Sequence, residues 1–254
     1  MDLGLKDHVA IITGAARGIG YGIAQVFAEE GSNVVIADFC PIEKTQEACE
    51  KLEKEFGIKT LAIRADISKE DDVKNIFKQT VEKFGTVDYV MNNAGLMGPS
   101  SVKTLTVEEI RKYEAVTVEG TMIMCREAVN LWDEQGRGGH IVNTISKTAY
   151  RSDGSGNPIY AATKGAVRSF TGNLAKEVGS RGIYVNGIVP GYVATEGVAH
   201  LTERSEAMKK IIPIHREATP KEIGYAAAFL CSDKAAQILG VGLDVSGGTM
   251  MNSL

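Results

Sequence analysis

The 254-residue chain lacks the features that mark several specialised classes of protein. Its four cysteines, Cys40, Cys49, Cys125 and Cys231, form no CxxC pair and no ligand-like spacing. That argues against a disulfide framework or a zinc site and for free thiols in a reducing compartment. Four histidines make no HExxH or similar cluster, so no metal is expected. A net charge of −4 offers no basic surface for nucleic acid. No apolar run approaches the ~20 residues that cross a bilayer. The opening Leu3-Gly4-Leu5-Lys6-Asp7 has none of the cationic and apolar pattern of a signal peptide. A soluble, cytoplasmic protein without a membrane partner is expected.

What is present is ordinary globular composition, 44% hydrophobic and 24% charged, arranged in a strict alternation. Short β-branched runs at 8–13, 33–38, 59–65, 87–91, 140–145, 183–189 and 239–245 read as strands. Between them lie amphipathic stretches at 18–30, 42–56, 69–84, 107–134, 158–178 and 220–231. Gly31, Gly57 and Gly85 stand where the first three of these helices must stop. Nearly continuous apolar strands joined by helices mean a parallel sheet covered on both faces. The expectation is an α/β, Rossmann-type doubly wound sheet of about seven strands. No linker breaks the chain, so residues 1–254 read as one catalytic domain.

The first strand runs into Thr13-Gly14-Ala15-Ala16-Arg17-Gly18-Ile19-Gly20 and then a helix. Such glycines allow a sharp turn and let backbone N–H groups approach a pyrophosphate at the helix N-terminus. No Gly-Lys-Ser/Thr follows, so this is not a Walker A loop. Asp38 ends the second strand, where a carboxylate accepts hydrogen bonds from an adenosine ribose and repels a 2′-phosphate. That favours NAD over NADP, and Phe39 adds no positive charge. Arg17 pulls the other way, because a guanidinium beside the turn can pair with that phosphate.

Further along, Ser146 closes the strand at 140–145, and Tyr160 and Lys164 lie four residues apart at the start of the next helix. At that spacing they share one helix face. An isolated Tyr/Lys pair is usually a surface accident; here it sits on the sheet edge where ligands bind.

Thr13 to Gly20, Asp66-Ile67, Asn92-Asn93-Ala94-Gly95, Ser146, Tyr160 with Lys164, and Pro190-Gly191 together resemble the short-chain dehydrogenase/reductase family in order and spacing, over essentially the whole chain. The resemblance implies that Gly14, Arg17, Gly18, Ile19, Gly20, Asp38 and Phe39 border the dinucleotide. It implies that Asp66 and Ile67 flank the adenine and that Asn93 and Gly95 lie beside a ribose. Pro190, Gly191, Val193 and Thr195 would hold the nicotinamide end. Tyr160 would donate or take the hydroxyl proton and Ser146 would steady the substrate oxygen. Lys164 would bind the nicotinamide ribose and ease ionisation of Tyr160. A homotetramer is the family-based expectation, with a homodimer as the alternative.

Three departures stand out. Threonine takes the family's asparagine position in Thr117-Val118-Glu119-Gly120, so a hydroxyl stands where the family carries a carbonyl-plus-amide pair for a water of its proton relay. The interval from Ser146 to Tyr160 is fourteen residues, one longer than is usual for the family. Lys147 follows Ser146 where a small or apolar residue is more common; it reads either as a solvated lysine or as a contact for a polar or anionic substrate group. Substrate choice belongs to the loops at 96–101, 147–159 and 192–216. The last carries Met208, Ile211, Ile212 and Ile214, as a lid over a partly apolar pocket or as a helix docked on the core.

The leading reading is an NAD(H)-dependent oxidoreductase of a secondary alcohol and ketone, hydroxysteroid or bile-acid-like, or a polyol or diol. An NADP(H)-dependent ketoreductase and a catalytically weak dinucleotide sensor are the alternatives.

Overall fold

The computed structural model describes residues 2–98, 100–151, 157–195 and 202–250. Seven strands form one sheet: β1 (Val9–Thr13), β2 (Asn33–Asp38), β3 (Thr60–Arg64), β4 (Tyr89–Asn92), β5 (Gly139–Thr144), β6 (Ile183–Pro190) and β7 (Gly242–Val245). Every pairing is parallel and the order is β3-β2-β1-β4-β5-β6-β7. The chain winds outward from β1 to β3, returns to β4 beside β1, and winds outward again to β7. The reversal leaves a crevice at the carboxyl ends of β1 and β4, the place where such sheets bind ligands.

Each strand serves two cores, because successive side chains point to opposite faces. Ala10, Ile12, Val34, Ile36, Tyr89 and Met91 pack on one side with α1 (Gly18–Glu29), α2 (Ile42–Phe56) and α8 (Pro220–Leu230). Val9, Ile11, Val35, Ala37, Val90 and Ile141 pack on the other with α3 (Glu70–Phe84), α5 (Gly120–Gln135) and α6 (Pro158–Val178). Strands buried on both faces explain the unbroken apolar runs of the sequence. The helices α1 and α8 cross so closely that a Cβ at Gly224 would stand 2.7 Å from the carbonyl oxygen of Gly22. Gly57 and Gly85 end α2 and α3 in the left-handed region, as their positions imply.

One expectation gains detail and one is corrected. The stretch 107–134 is helical throughout, as expected, but it changes helix type on the way. It begins as α4 (Val107–Tyr113), passes through a π-helical stretch, Glu114–Glu119, and resumes as α5. The β-branched run Val116-Thr117-Val118 weakens the α preference there, and Thr121 Oγ1 donates to the Thr117 carbonyl at 2.8 Å. The last strand is shorter than 239–245, because Gly240 has φ +71 and cannot lie in a regular strand. Its N–H still reaches Val185 O at 2.9 Å, so the approach to β7 stays tied to β6.

Candidate active site

The glycine turn is held by the neighbouring strand end. Asn93 Nδ2 donates to Thr13 O and Gly14 O, both at 3.0 Å, while Thr13 Oγ1 accepts from the N–H groups of Asn93 and Ala94 at 3.1 Å. Gly14 and Gly18 have φ +63, a conformation costly for any residue with a Cβ. At Gly14 a Cβ would also come within 2.9 Å of the Ala94 backbone. The turn delivers the chain into α1 with no side chain capping its N-terminus and no acidic residue in its first turn. Uncapped N–H groups at the positive end of a helix dipole suit an anion, and the residues present therefore fit a dinucleotide pyrophosphate. Exposed Arg17 is the N-cap residue. Ile19 packs against the core beneath the turn.

Asp38 stands at the end of β2, beside this turn. Its Oδ2 accepts from Ala16 N at 3.0 Å and its Oδ1 from Cys40 N at 3.0 Å, which fixes the carboxylate at the turn. Phe39 is 68% exposed next to it, open to a flat ring. After β3, the Asp66 Oδ1 accepts from Ser68 N and Oγ, and Ile67 is buried against Gly120. Beyond β6, Gly191 allows close contact with Ser246, whose Cα would be 2.8 Å from a Cβ there. Val193 pairs with Ala218, and Thr195 reaches back towards Gly18, with Cγ2 3.8 Å from the Cβ position of that glycine. The glycine turn and the segment after β6 thus come together at Gly18 and Thr195.

The residues expected to carry the chemistry sit at the carboxyl end of β5 and in the first turns of α6. Ser146 is buried, and its Oγ accepts from Thr148 N at 3.3 Å and from Thr148 Oγ1 at 3.0 Å. Both bonds occupy lone pairs, so the Ser146 hydrogen can be aimed at another acceptor. Pro158 opens α6 at its first position, and Asn157 Oδ1 caps it by accepting from Tyr160 N at 3.2 Å. Asn157 Nδ2 donates to Gly98 O, tying the helix start to the loop after β4. Lys164 follows one turn later and is only 4% exposed. Its ammonium donates to Thr144 O at 2.6 Å and lies 5.9 Å from the Tyr160 ring centroid. Burial pushes its pKa down from 10.5 to about 8.

Thr117 is fully buried in the π-helical stretch, where its Oγ1 accepts from Leu96 N at 3.3 Å. Gly95 leaves a gap between them: a Cβ there would lie 3.5 Å from both Lys164 Nζ and Thr117 Oγ1. Thr117→Val keeps the shape but leaves the Leu96 N–H without its acceptor. A loss of about 1–3 kcal/mol in unfolding free energy is expected by denaturant titration. An unchanged midpoint would show that this bond contributes nothing.

Lys147 corrects an expectation. It is 7% exposed, and its Nζ lies 3.5 Å from the centroid of Tyr192, so it is not a solvated lysine. The polar network behind the site escaped sequence reading. Asn92 Nδ2 donates to Asn143 Oδ1 at 2.9 Å, and Asn143 Nδ2 donates to Thr171 Oγ1 at 2.9 Å. Its signal in the sequence was an asparagine in each of two strands, Asn92 in β4 and Asn143 in β5. Of the extra polar stretch, residues 152–156 lie outside the described residues, as do 196–201 of the substrate loop. Within that loop Ile212 is buried, whereas Ile211 and Ile214 are exposed. Among the described residues no helix is long and apolar enough to cross a membrane, and no group of His, Cys, Asp and Glu could hold a metal ion.

A sheet of this order, with its crevice lined in this way, defines a Rossmann-type α/β protein. Residues 14–250 match a family model described as enoyl-(acyl carrier protein) reductase. Galactitol 2-dehydrogenase of Agrobacterium fabrum is 34% identical over 260 residues, covering 98% of this chain and 99% of its own. The structure of L-sorbose reductase from Gluconobacter frateurii complexed with NADPH and L-sorbose superposes with a TM-score of 0.92 at 29% identity, covering all of both chains. That of 3-ketoacyl-(acyl-carrier-protein) reductase from Brucella melitensis complexed with NADH gives 0.88 at 35% identity, covering 97% of this chain and 100% of that one. The chain belongs to the short-chain dehydrogenase/reductase family of NAD(P)-dependent oxidoreductases.

Proposed function

We propose that the protein interconverts a secondary alcohol and a ketone with NAD(H). The observation that carries this reading is the buried Lys164 ammonium, fixed on Thr144 O one helical turn from Tyr160, at the same sheet edge as Ser146 and the uncapped start of α1. A bound nicotinamide supplies or accepts the hydride. The chain's own residues manage the oxygen. Ser146, its lone pairs engaged by Thr148, donates its hydrogen to the substrate oxygen. Tyr160 gives that oxygen a proton in reduction or takes one in oxidation, and the nearby positive charge favours its phenolate. Donors already in place before charge develops need no reorganisation at the moment of reaction. The remaining donors of Lys164 are suited to the hydroxyls of the nicotinamide ribose, with Asn93, Gly95, Pro190, Gly191, Val193 and Thr195 bordering that half. Asp66 and Ile67 border the adenine, beside Phe39.

The substrate class is a neutral or polar ketone. The relatives point to sugars and polyols or to 3-ketoacyl chains, and these take precedence over the hydroxysteroids that the sequence also allowed. A panel of polyols, ketoses, 3-ketoacyl thioesters, diols and steroids, followed by NADH absorbance, tests this. Absence of turnover with every class would sink the oxidoreductase reading and favour a dinucleotide sensor.

Asp38 supports NAD, and exposed Arg17 is what favours the NADP(H) alternative. In Asp38→Asn the negative charge is gone, and one of the two N–H groups it serves loses its acceptor. The ratio of kcat/KM for NAD over NADP is expected to fall about tenfold or more, a change of roughly 1.4 kcal/mol. A wild-type preference for NADP would overturn the assignment. A one-domain, cytoplasmic homotetramer completes the proposal; sedimentation equilibrium showing a monomer would refute the assembly.

A further inference from the structure

The loop that follows β6 is closed at its base. Ala218 N donates to Tyr192 O and Ala194 N donates to Ala218 O, both at 2.9 Å, so Val193 and Ala218 form a parallel bridge. Beyond the bridge, α7 (Thr202–Ile211) and Ile212 and Ile214 complete the loop, with both isoleucines lying against Gly247. Tyr192 is the last residue before the bridge, one position after Gly191. The ammonium of Lys147 sits on its ring, 3.5 Å from the centroid.

Lys147 itself leaves β5 directly after Ser146, at the first position of a short 3₁₀ turn, Lys147–Ala149. That turn is gripped on its other side. The Arg168 guanidinium of α6 lies 3.9 Å from the Tyr150 ring centroid, and Arg168 Nη1 donates to Ala149 O at 3.4 Å. The segment carrying Ser146 therefore has two cation-on-ring contacts, one to α6 and one to the root of the loop after β6. The second joins the Ser146 turn to a segment more than forty residues further along the chain, the root of the loop after β6.

We propose that Lys147 is a positioning residue, whose ammonium on the Tyr192 ring ties the Ser146 turn to the base of the 192–218 loop. The turn that presents Ser146 and the Val193–Ala218 bridge are then held in one geometry. This rests on the oxidoreductase reading for its effect on turnover, but the mechanical link exists without it. A cation on an aromatic face needs charge on one side and a ring on the other, and the hydroxyl of the tyrosine is dispensable. Misplacing a reacting group by about 1 Å costs up to roughly 100-fold in rate.

The test compares Lys147→Met, Lys147→Arg, Tyr192→Leu and Tyr192→Phe in the full-length protein. Lys147→Met and Tyr192→Leu are expected to lower kcat about 10- to 100-fold with NADH Kd within about twofold. Lys147→Arg and Tyr192→Phe restore most of the rate, and the double variant Lys147→Met/Tyr192→Leu is no worse than either single one. Independently of turnover, hydrogen–deuterium exchange at the Ala194 and Ala218 amides is expected to speed up in Lys147→Met. Additive losses overturn the proposal, as does a Tyr192→Phe variant as impaired as Tyr192→Leu. If the wild type reduces no ketone, the functional reading fails and the exchange measurement alone decides. Unchanged exchange then refutes the link.

Discussion

Tyr160→Phe is expected to lower kcat by about 100- to 10,000-fold, the range removed when a positioned general acid is lost. NADH binding should stay within about twofold. The split follows from geometry. Tyr160 enters α6 through its backbone, with its N–H held by Asn157 Oδ1, and that cap survives the loss of the hydroxyl. Phenylalanine also keeps the ring beside Lys164. Among the described residues, the glycine turn is held by Asn93 and Thr13, and Asp38 by Ala16 and Cys40. Stopped-flow turnover and a fluorescence titration with NADH separate the two effects. Retained turnover would remove Tyr160 from the chemistry.

Lys164→Met has an effect of opposite sign on two quantities. Turnover should fall at least about 100-fold, because the charge beside Tyr160 disappears. Stability at pH 7 should rise. The pKa of Lys164 is lowered by burial from 10.5 to about 8. A depressed pKa in the folded state means that the unfolded chain binds more protons between about pH 8 and 10.5, so wild-type stability climbs across that window. Below pH 8 the folded protein carries the full cost of a buried charge, on the order of 3 kcal/mol for a shift of this size. Methionine removes that cost and also the bond to Thr144 O, a loss of about 1 kcal/mol. The variant should therefore be more stable at pH 7 by up to about 2 kcal/mol, and its advantage should vanish as the pH rises past 10.5. Urea midpoints measured from pH 7 to 10.5 give the comparison. A variant less stable at pH 7, or a difference independent of pH, would contradict the cause assigned to the shift.

The parts of the fold legible in the sequence were those with a short-range physical signature. Continuous apolar runs specify strands buried on both faces, and Gly57 and Gly85 specify helix ends. The glycine turn, Asp38 and the Tyr160–Lys164 spacing are equally local. What stayed hidden depends on neighbours distant in the chain. Whether Lys147 is solvated cannot be decided without knowing that Tyr192, on the next strand's loop, comes to meet it. The network of Asn92, Asn143 and Thr171 needs the β4–β5 register and the seat of α6. The change of helix type at Glu114–Glu119 was hidden for another reason: the residues on either side continue a helical pattern, and only the phase between them changes.

That phase has a consequence for how the chain tolerates insertion and deletion. At the entry to the wide turn and within it, Tyr113 and Thr117 face the loop after β4, near Gly98 and Leu96. After it, Met124, Cys125, Ala128 and Trp132 face the sheet, with the Trp132 indole donating to Val87 O at 2.7 Å. A π-helical turn holds more residues than an α-helical one, and each residue of an α-helix turns the axis by about 100°. Deleting one residue to regularise the helix would swing Trp132 out of the core, or Thr117 away from Leu96. The wide turn thus acts as a phase adjuster between two requirements set by different parts of the molecule. The length of this segment is less free to drift than its exposed side chains are.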